Sequence, residues 1–358
     1  MKIGHAIIYI SALVGSVGNA QSIRWHNESA DTLKINELLA ISAAINDPQE
    51  RVAAVAQHFI DIPYVAGTLE SNSKIENSSG KSSGKSENIS GNNEIAAGKN
   101  DEPAKKFDGI TVKNGETNEK NGELSGKNIK LTEKNIELTE KNGGLNGGDE
   151  VLTVNIDEVD CTTLIDYVAA LALTGGEHRT SWRDFVYNLQ RMRYRNGEVK
   201  GYPSRLHYIS DWIVDNAHRG NLEEVTNRCD LATYEVKSLN FMSANRNLYP
   251  ALADSANFAR IKEAESGYRN HRYPIIKTQR VGNAAKNFLR TGDIVALCTT
   301  KKGLDVSHMG ILFIDEKKVP YLLHASSKAG KVILDATPLE QYLTKNRLAG
   351  IRVIRLKE

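Results

Sequence analysis

Asp160-Cys161-Thr162-Thr163-Leu164-Ile165-Asp166-Tyr167-Val168-Ala169-Ala170-Leu171 is the stretch on which the fold turns. Asp160 is an N-cap residue by type, and the run after Cys161 is apolar around most of its circumference, as in a central buried helix. Cys161 then falls in the first helical turn, where unpaired N–H groups and the positive dipole end favour an anion. A thiolate is such an anion, and this placement lowers a cysteine pKa. A buried structural cysteine fits the same stretch. The residues that separate the two readings lie far downstream.

The chain has 358 residues and a net charge of +2, so no long-range attraction to nucleic acid or anionic membrane is implied. Residues 1–20 have the form of a secretory signal: Lys2, an apolar core over 6–14, and the small residues Gly18 and Ala20 before Gln21. That core is too short to span a bilayer, and no other stretch approaches a transmembrane helix. The expectation is an exported, periplasmic, monomeric protein without an integral membrane segment once the signal is removed. Three cysteines, Cys161, Cys229 and Cys298, leave at least one unpaired within the chain. A Cys229–Cys298 bridge and two buried thiols both remain open.

Four segments follow from composition: the signal at 1–20, a helical part at 21–70, an insertion at 71–150 and a core at 151–358. Residues 32–44 read as a helix, and Asp47-Pro48-Gln49-Glu50 starts a second with a cap, an N1 proline and a glutamate at N3. Ile62-Pro63-Tyr64-Val65-Ala66-Gly67 is an extended exit from it. Residues 71–150 have one aromatic, Phe107, and are dominated by Asn, Gly, Ser, Lys and Glu. Leucines 124, 131, 138 and 145 recur every seventh position, but Ile129 and Ile136 miss the spacing of a coiled-coil seam. Such a segment is expected to be a disordered, low-complexity insertion. Beyond it, 151–156 resumes order and 182–189 is helical. Arg191, Arg193 and Arg195 alternate before the turn pair Asn196-Gly197, which predicts a hairpin with the arginines on one strand face, solvated or facing a carboxylate-rich ligand. Strands are expected at 294–297, 307–314, 319–325, 332–334 and 351–356. Helices first and strands later make the class α+β.

His308 and His324 stand in two strands joined through Asp315-Glu316-Lys317-Lys318. A hairpin centred on 316 sets them directly opposite each other on one face, with Met309, Ile311, Phe313, Val319, Tyr321 and Leu323 on the other. Gly310 would leave room beside the ring. A cysteine at a helix start with two histidines on one hairpin face supplies a nucleophile, a base and an orienting group. Structural residues, or a zinc site of Cys161, His308 and His324, are the alternatives; the zinc site lacks close ligand spacing.

Pro63-Tyr64-Val65-Ala66-Gly67, Asp160-Cys161-Thr162, Gly292-Asp293-Ile294-Val295, Ser307-His308-Met309-Gly310-Ile311 and Leu323-His324-Ala325-Ser326-Ser327 resemble, in order, the signature of NlpC-type papain-like cysteine amidases and peptidases. Ser204-Arg205-Leu206-His207-Tyr208-Ile209-Ser210-Asp211-Trp212 is similar to a branch, long classed as of unknown function, linked to N-acetylmuramoyl-L-alanine amidase activity. The resemblance covers 32–70 and 151–358. It implies a papain-like fold, a Cys161, His308 and His324 triad, no cofactor or metal, and a peptidoglycan or muropeptide substrate in the bacterial envelope. It also implies substrate contacts from Tyr64, Asp160, Thr162 and Ser307, and from Arg205, His207 and Asp211. Thr162 departs from the serine usual after the cysteine in dipeptide-releasing endopeptidases. That puts recognition of a free amine in doubt and favours the amidase. A γ-D-glutamyl endopeptidase on the same triad and a non-catalytic envelope-binding module are the rivals.

Overall fold

The computed structural model describes residues 23–69 and 150–357. The expected signal at 1–20, and all but Glu150 of the expected insertion at 71–150, lie outside the described residues. The chain enters with β1 (Ile23–Trp25), α1 (Glu28–Ala43) and α2 (Pro48–Gln57). Asp47 caps α2 by accepting from the N–H groups of Gln49 and Glu50, each at 2.9 Å. After β2 (Leu152–Val154), which pairs in parallel with β1, come α3 (Cys161–Gly176), α4 (Trp182–Arg193) and α5 (Ile209–His218). The chain continues through β3 (Leu222–Glu224), β4 (Thr233–Lys237), α6 (Phe241–Ala244), α7 (Ser255–Ser266), where the sequence over 252–266 reads as a surface helix, and β5 (His271–Lys277). The chain closes with α8 (Val281–Asn287), β6 (Ile294–Thr299), β7 (Val306–Ile314), β8 (Pro320–Ser326), β9 (Lys331–Leu334), α9 (Leu339–Lys345) and β10 (Leu348–Leu356).

Among the described residues these strands form an eight-stranded sheet in the order β4-β5-β10-β6-β7-β8-β9, with β3 also paired to β10. Its pairings are antiparallel, so the class is α+β as expected. Both faces are buried. Ile294, Ala296, Ile311, Phe313, Leu323 and Ala325 pack with α1 to α5, whereas Val295, Leu297, Leu312 and Leu322 pack with α8 and α9. α3 is wrapped by α1, α2 and α4 and lies against β7 and β8. Its residues from Thr163 to Ala172 are all buried, which is why the stretch is apolar on every side.

Three expectations change. Arg191 and Arg193 lie on α4 rather than on a strand, and Asn196-Gly197 closes a 3-10 turn with both residues at positive φ. Arg193 is 2 % exposed and its Nε donates to Asp166 Oδ2 at 2.8 Å, so it meets a carboxylate of its own chain and no solvent. The hairpin register is also shifted: Ile314 faces Pro320 and Ile311 faces Leu323, which centres it on Lys317 rather than Glu316. The parity is kept, so His308 and His324 share a face, but diagonally. Finally, a Cβ on Gly310 would stand 2.6 Å from Leu322 Cδ1 and 2.8 Å from the Leu323 carbonyl oxygen, so the space it leaves is filled by β8 and not by an imidazole.

Candidate active site

Asp160 caps α3 through a full capping box. Its Oδ1 accepts from the N–H groups of Thr162 at 3.0 Å and Thr163 at 2.9 Å, and Thr163 Oγ1 accepts from the Asp160 N–H at 2.8 Å. The anion at this helix start is therefore the Asp160 carboxylate, which engages two of the N–H groups expected to favour a thiolate, those of Thr162 and Thr163. Cys161 follows, partly exposed, with its Sγ 4.0 Å from Thr162 Oγ1 and in contact with the backbone of Met309. Burial and the Asp160 charge push the thiol up to about 11, outweighing the Thr162 hydroxyl and the Met309 and Cys161 backbone. The expectation of a lowered cysteine pKa is corrected: the resting group is a thiol.

Met309 is the residue after His308, so the contact sets Cys161 against the β7 strand at its histidine. The pairing register of β6 and β7 shifts between Leu297 and Cys298, leaving Ser307 as an extra residue just before His308. Such bulges re-aim the side chains beside them. His308 Nε2 lies 2.7 Å from His324 Nδ1, with the rings edge to face at 4.9 Å. Burial, then His324, push the His308 imidazole down to about 3, so it too rests neutral. His324 is 2 % exposed because α9 covers that face and lays Tyr342 across its ring at 5.4 Å. Behind it stands Asp335, at the end of β9, with Oδ2 3.8 Å from His324 Nε2. Asp335 and Tyr342 were not singled out from sequence. Asp335 looks like any polar residue ending a strand, and only the β8–β9 pairing brings it to the histidine.

The remaining candidates divide by their partners. Tyr64 is half-buried, bridges to Val159, and has its hydroxyl pKa raised by burial and then by Cys161 and Asp160, which places it beside the thiol. Thr162 borders the sulfur, and Ser307 is exposed at the bulge. Arg205 is 7 % exposed; its Nε and Nη2 bind Glu150 at 2.9 and 2.7 Å, and it lies over the Tyr202 ring. Asp211 is 4 % exposed and held by Arg195 and by the Tyr268 hydroxyl at 2.8 Å. Both are committed to partners within the chain, and none of those partners is Cys161, His308 or His324. His207 is only partly buried; its Nε2 lies 2.9 Å from the Tyr202 carbonyl oxygen, an acceptor, so Nε2 donates and Nδ1 keeps a lone pair. Burial and then Arg205 push it down to about 3, so it stays an acceptor. The quoted Gly292-Asp293 pair is architectural. Gly292 has φ +88° with the Gln49 carbonyl oxygen 1.9 Å from where a Cβ would stand, and Asp293 holds Arg355 of β10 at 2.7 Å. Among the described residues no group of three or more His, Cys, Asp or Glu side chains is disposed to hold a metal.

The site thus holds two coupled imidazoles and a thiol that touches the strand position next to one of them, group types that serve nucleophilic acyl transfer with general acid–base assistance. Residues 138–351 match the model of the AmiA-like family, described as N-acetylmuramoyl-L-alanine amidase-like. An N-acetylmuramoyl-L-alanine amidase from Bacteroides uniformis ATCC 8492 is similar at 30% identity and a TM-score of 0.63, covering 87% of this chain and 99% of that one. A Bacteroides fragilis protein proposed to be a xylanase is similar at 31% identity and 0.60, covering 84% and 98%. Protein LPG0564 of Legionella pneumophila shares the fold at 18% identity and 0.56, covering 92% and 96%. No curated protein sequence matches.

Proposed function

We propose that this chain, which belongs to the AmiA-like, N-acetylmuramoyl-L-alanine amidase-like family, is an exported cysteine amidase of papain-like, NlpC-type architecture. Its reaction is hydrolysis of the bond between N-acetylmuramic acid and L-alanine in peptidoglycan fragments. The observation that carries this reading is the 2.7 Å contact of His308 Nε2 with His324 Nδ1, next to the strand position that touches Cys161. Because Nε2 of His308 is engaged by His324, Nδ1 is the ring nitrogen left to serve the thiol. In the reaction Cys161 Sγ attacks the lactyl carbonyl as His308 Nδ1 takes the thiol proton. The Cys161 N–H, the terminal donor not taken by Asp160, faces the developing oxyanion. His308 then gives the proton to the departing alanine nitrogen, and water, activated by the same ring, releases the sugar acid from the thioester.

Tyr64 and Thr162 border the sulfur, Ser307 is exposed at the bulge before His308, and all three are assigned to substrate contact, while His207 offers an acceptor for a substrate N–H or O–H. Thr162 places a methyl group where a smaller serine would leave space for a free peptide amine, which favours a muramyl group on the acyl side. A glycoside hydrolase would need a pair of carboxyl groups flanking its bond; the reading here rests instead on the coupled imidazoles beside the strand position that Cys161 touches. Incubation of a muramyl tripeptide is expected to yield N-acetylmuramic acid and a peptide beginning with L-alanine, read by mass spectrometry. Cys161→Ala should abolish the products. Muramyl dipeptide as product would assign the chain to γ-D-glutamyl endopeptidases, and saturable binding with no cleavage would assign it to non-catalytic modules.

A further inference from the structure

The contact between His308 and His324 joins two ring nitrogens, and such a bond needs one donor and one acceptor. Two proton arrangements satisfy it. In the first, His308 donates from Nε2, His324 accepts at Nδ1 and carries its own proton on Nε2. In the second, His324 donates from Nδ1, its Nε2 is a lone pair, and His308 holds its proton on Nδ1. Only the first leaves a lone pair on His308 Nδ1, the nitrogen that must receive the thiol proton. His324 alone does not choose between them. Its Nε2 is buried and has no hydrogen-bond partner within range.

The group that Nε2 faces is Asp335, whose Oδ2 is 3.8 Å away. Asp335 is fixed in place: its N–H donates to the Leu322 carbonyl at 2.9 Å, and its Oδ1 accepts from the Thr337 N–H at 2.8 Å. Oδ2 is thereby aimed at His324 from one side while Tyr342 packs on the ring from another. A buried lone pair held against a carboxylate oxygen is repelled, whereas an N–H there is attracted. Burial by itself would raise the Asp335 pKa, yet His324 and Thr337 hold it below the usual carboxylate range, so the oxygen is anionic at neutral pH. At 3.8 Å the contact is longer than a hydrogen bond. Catalytic hydrogen bonds are often long before substrate binds.

We propose that Asp335 is a positioning residue of this site, which fixes His324 as its Nε2–H tautomer and so keeps the Nδ1 lone pair of His308 free for Cys161. This rests on the reading of Cys161 and His308 as nucleophile and base. No bond is made or broken by Asp335. When the thiol proton reaches His308 Nδ1, the new imidazolium donates from Nε2 to His324, whose Nε2–H in turn points at the carboxylate.

The test is the tautomeric state of the two rings in the full-length protein labelled with 15N-histidine, read from two-bond nitrogen–proton couplings near pH 7. The wild-type protein is expected to show His324 with its proton on Nε2. In Asp335→Asn the amide can donate to Nε2, so His324 should shift toward the Nδ1–H form. Turnover of muramyl tripeptide should then fall by about 10²-fold or more with KM little changed, as when an orienting carboxylate is lost. Asp335→Glu should recover part of both signals. A wild-type His324 protonated on Nδ1 overturns the proposal, as does an Asp335→Asn protein with unchanged tautomer and turnover. The underlying reading fails separately, if Cys161→Ala turns over like the wild type, because the tautomer measurement needs no turnover.

Discussion

Cys161 and Asp160 compete for one helix terminus, and the carboxylate holds it. With the thiol pushed up to about 11, Cys161 alkylation by iodoacetamide should keep accelerating from pH 7 toward pH 11. A rate that levels off below pH 8 would contradict this. Cys229 and Cys298 are buried and should react more slowly at every pH. Asp160→Asn keeps the capping oxygen but removes the like charge beside the sulfur. It should move the alkylation profile to lower pH while changing the melting temperature little. The imidazoles add a dependence of stability on acid. His308 and His207 take a proton near 6.5 when unfolded but only near 3 when folded. Their lowered pKa values contribute stability that is present above pH 6.5 and lost as pH falls toward 3. A melting temperature flat from pH 6.5 to 4 would contradict that.

At the scale of elements, the nucleophile helix is pinned by polar contacts as well as apolar ones. Asp166 on α3 accepts from Arg193 Nε on α4 at 2.8 Å and from Trp212 Nε1 on α5 at 3.1 Å, and Arg193 reaches the Thr153 carbonyl of β2 at 2.7 Å. One buried ion pair thus ties three helices and a strand behind Cys161. Replacing one partner alone leaves an uncompensated buried charge, so Asp166→Asn should cost roughly 3–5 kcal/mol, read by urea unfolding. Arg193 illustrates what periodicity misses. Alternating arginines before Asn-Gly fit a strand, but a helix of 3.6 residues per turn can bring one inward while the pair at positive φ merely ends it. Gly292 is the second such lock. Gly292→Ala puts a Cβ on the Gln49 carbonyl at a left-handed φ, where the cost should exceed about 1 kcal/mol, with no change at Cys161.

At the scale of the molecule, Arg205 organises the edges of the long segment between the two described parts of the chain. Its Nη2 is 3.5 Å from the Leu69 carbonyl oxygen and 2.7 Å from Glu150 Oε2. Chain leaves and re-enters at one guanidinium, and Glu150 also receives the Tyr194 hydroxyl at 2.8 Å. Replacing residues 71–149 by a short Gly-Ser linker, with Glu150 kept, should leave the melting temperature and turnover nearly unchanged. Lengthening a loop from about 10 to about 80 residues costs only roughly 2 kcal/mol. Extending the deletion through Glu150 should be more harmful, because it removes the bidentate Glu150 ion pair of buried Arg205 and the acceptor of the Tyr194 hydroxyl. A collapse of folding in the first variant would show that the segment belongs to the core.

The sequence alone determined the α+β class, the Asp160 cap, the helix that starts at Cys161 and the shared face of His308 and His324. Each of these follows from short-range rules: capping chemistry, all-round apolarity and the two-residue period of a strand. Register by exact pairing, the β4 and β5 edge and the burial of both sheet faces were decided by tertiary structure, since a strand covered on both sides or at an edge loses the alternation that marks it. So were the roles of Arg193, Arg205 and Asp211, whose charges look free in the chain and are satisfied by partners far along it. The raised thiol pKa at Cys161 and the approach of Asp335 to His324 belong to the same class. Both depend on burial and through-space distance, which no local pattern of residues encodes.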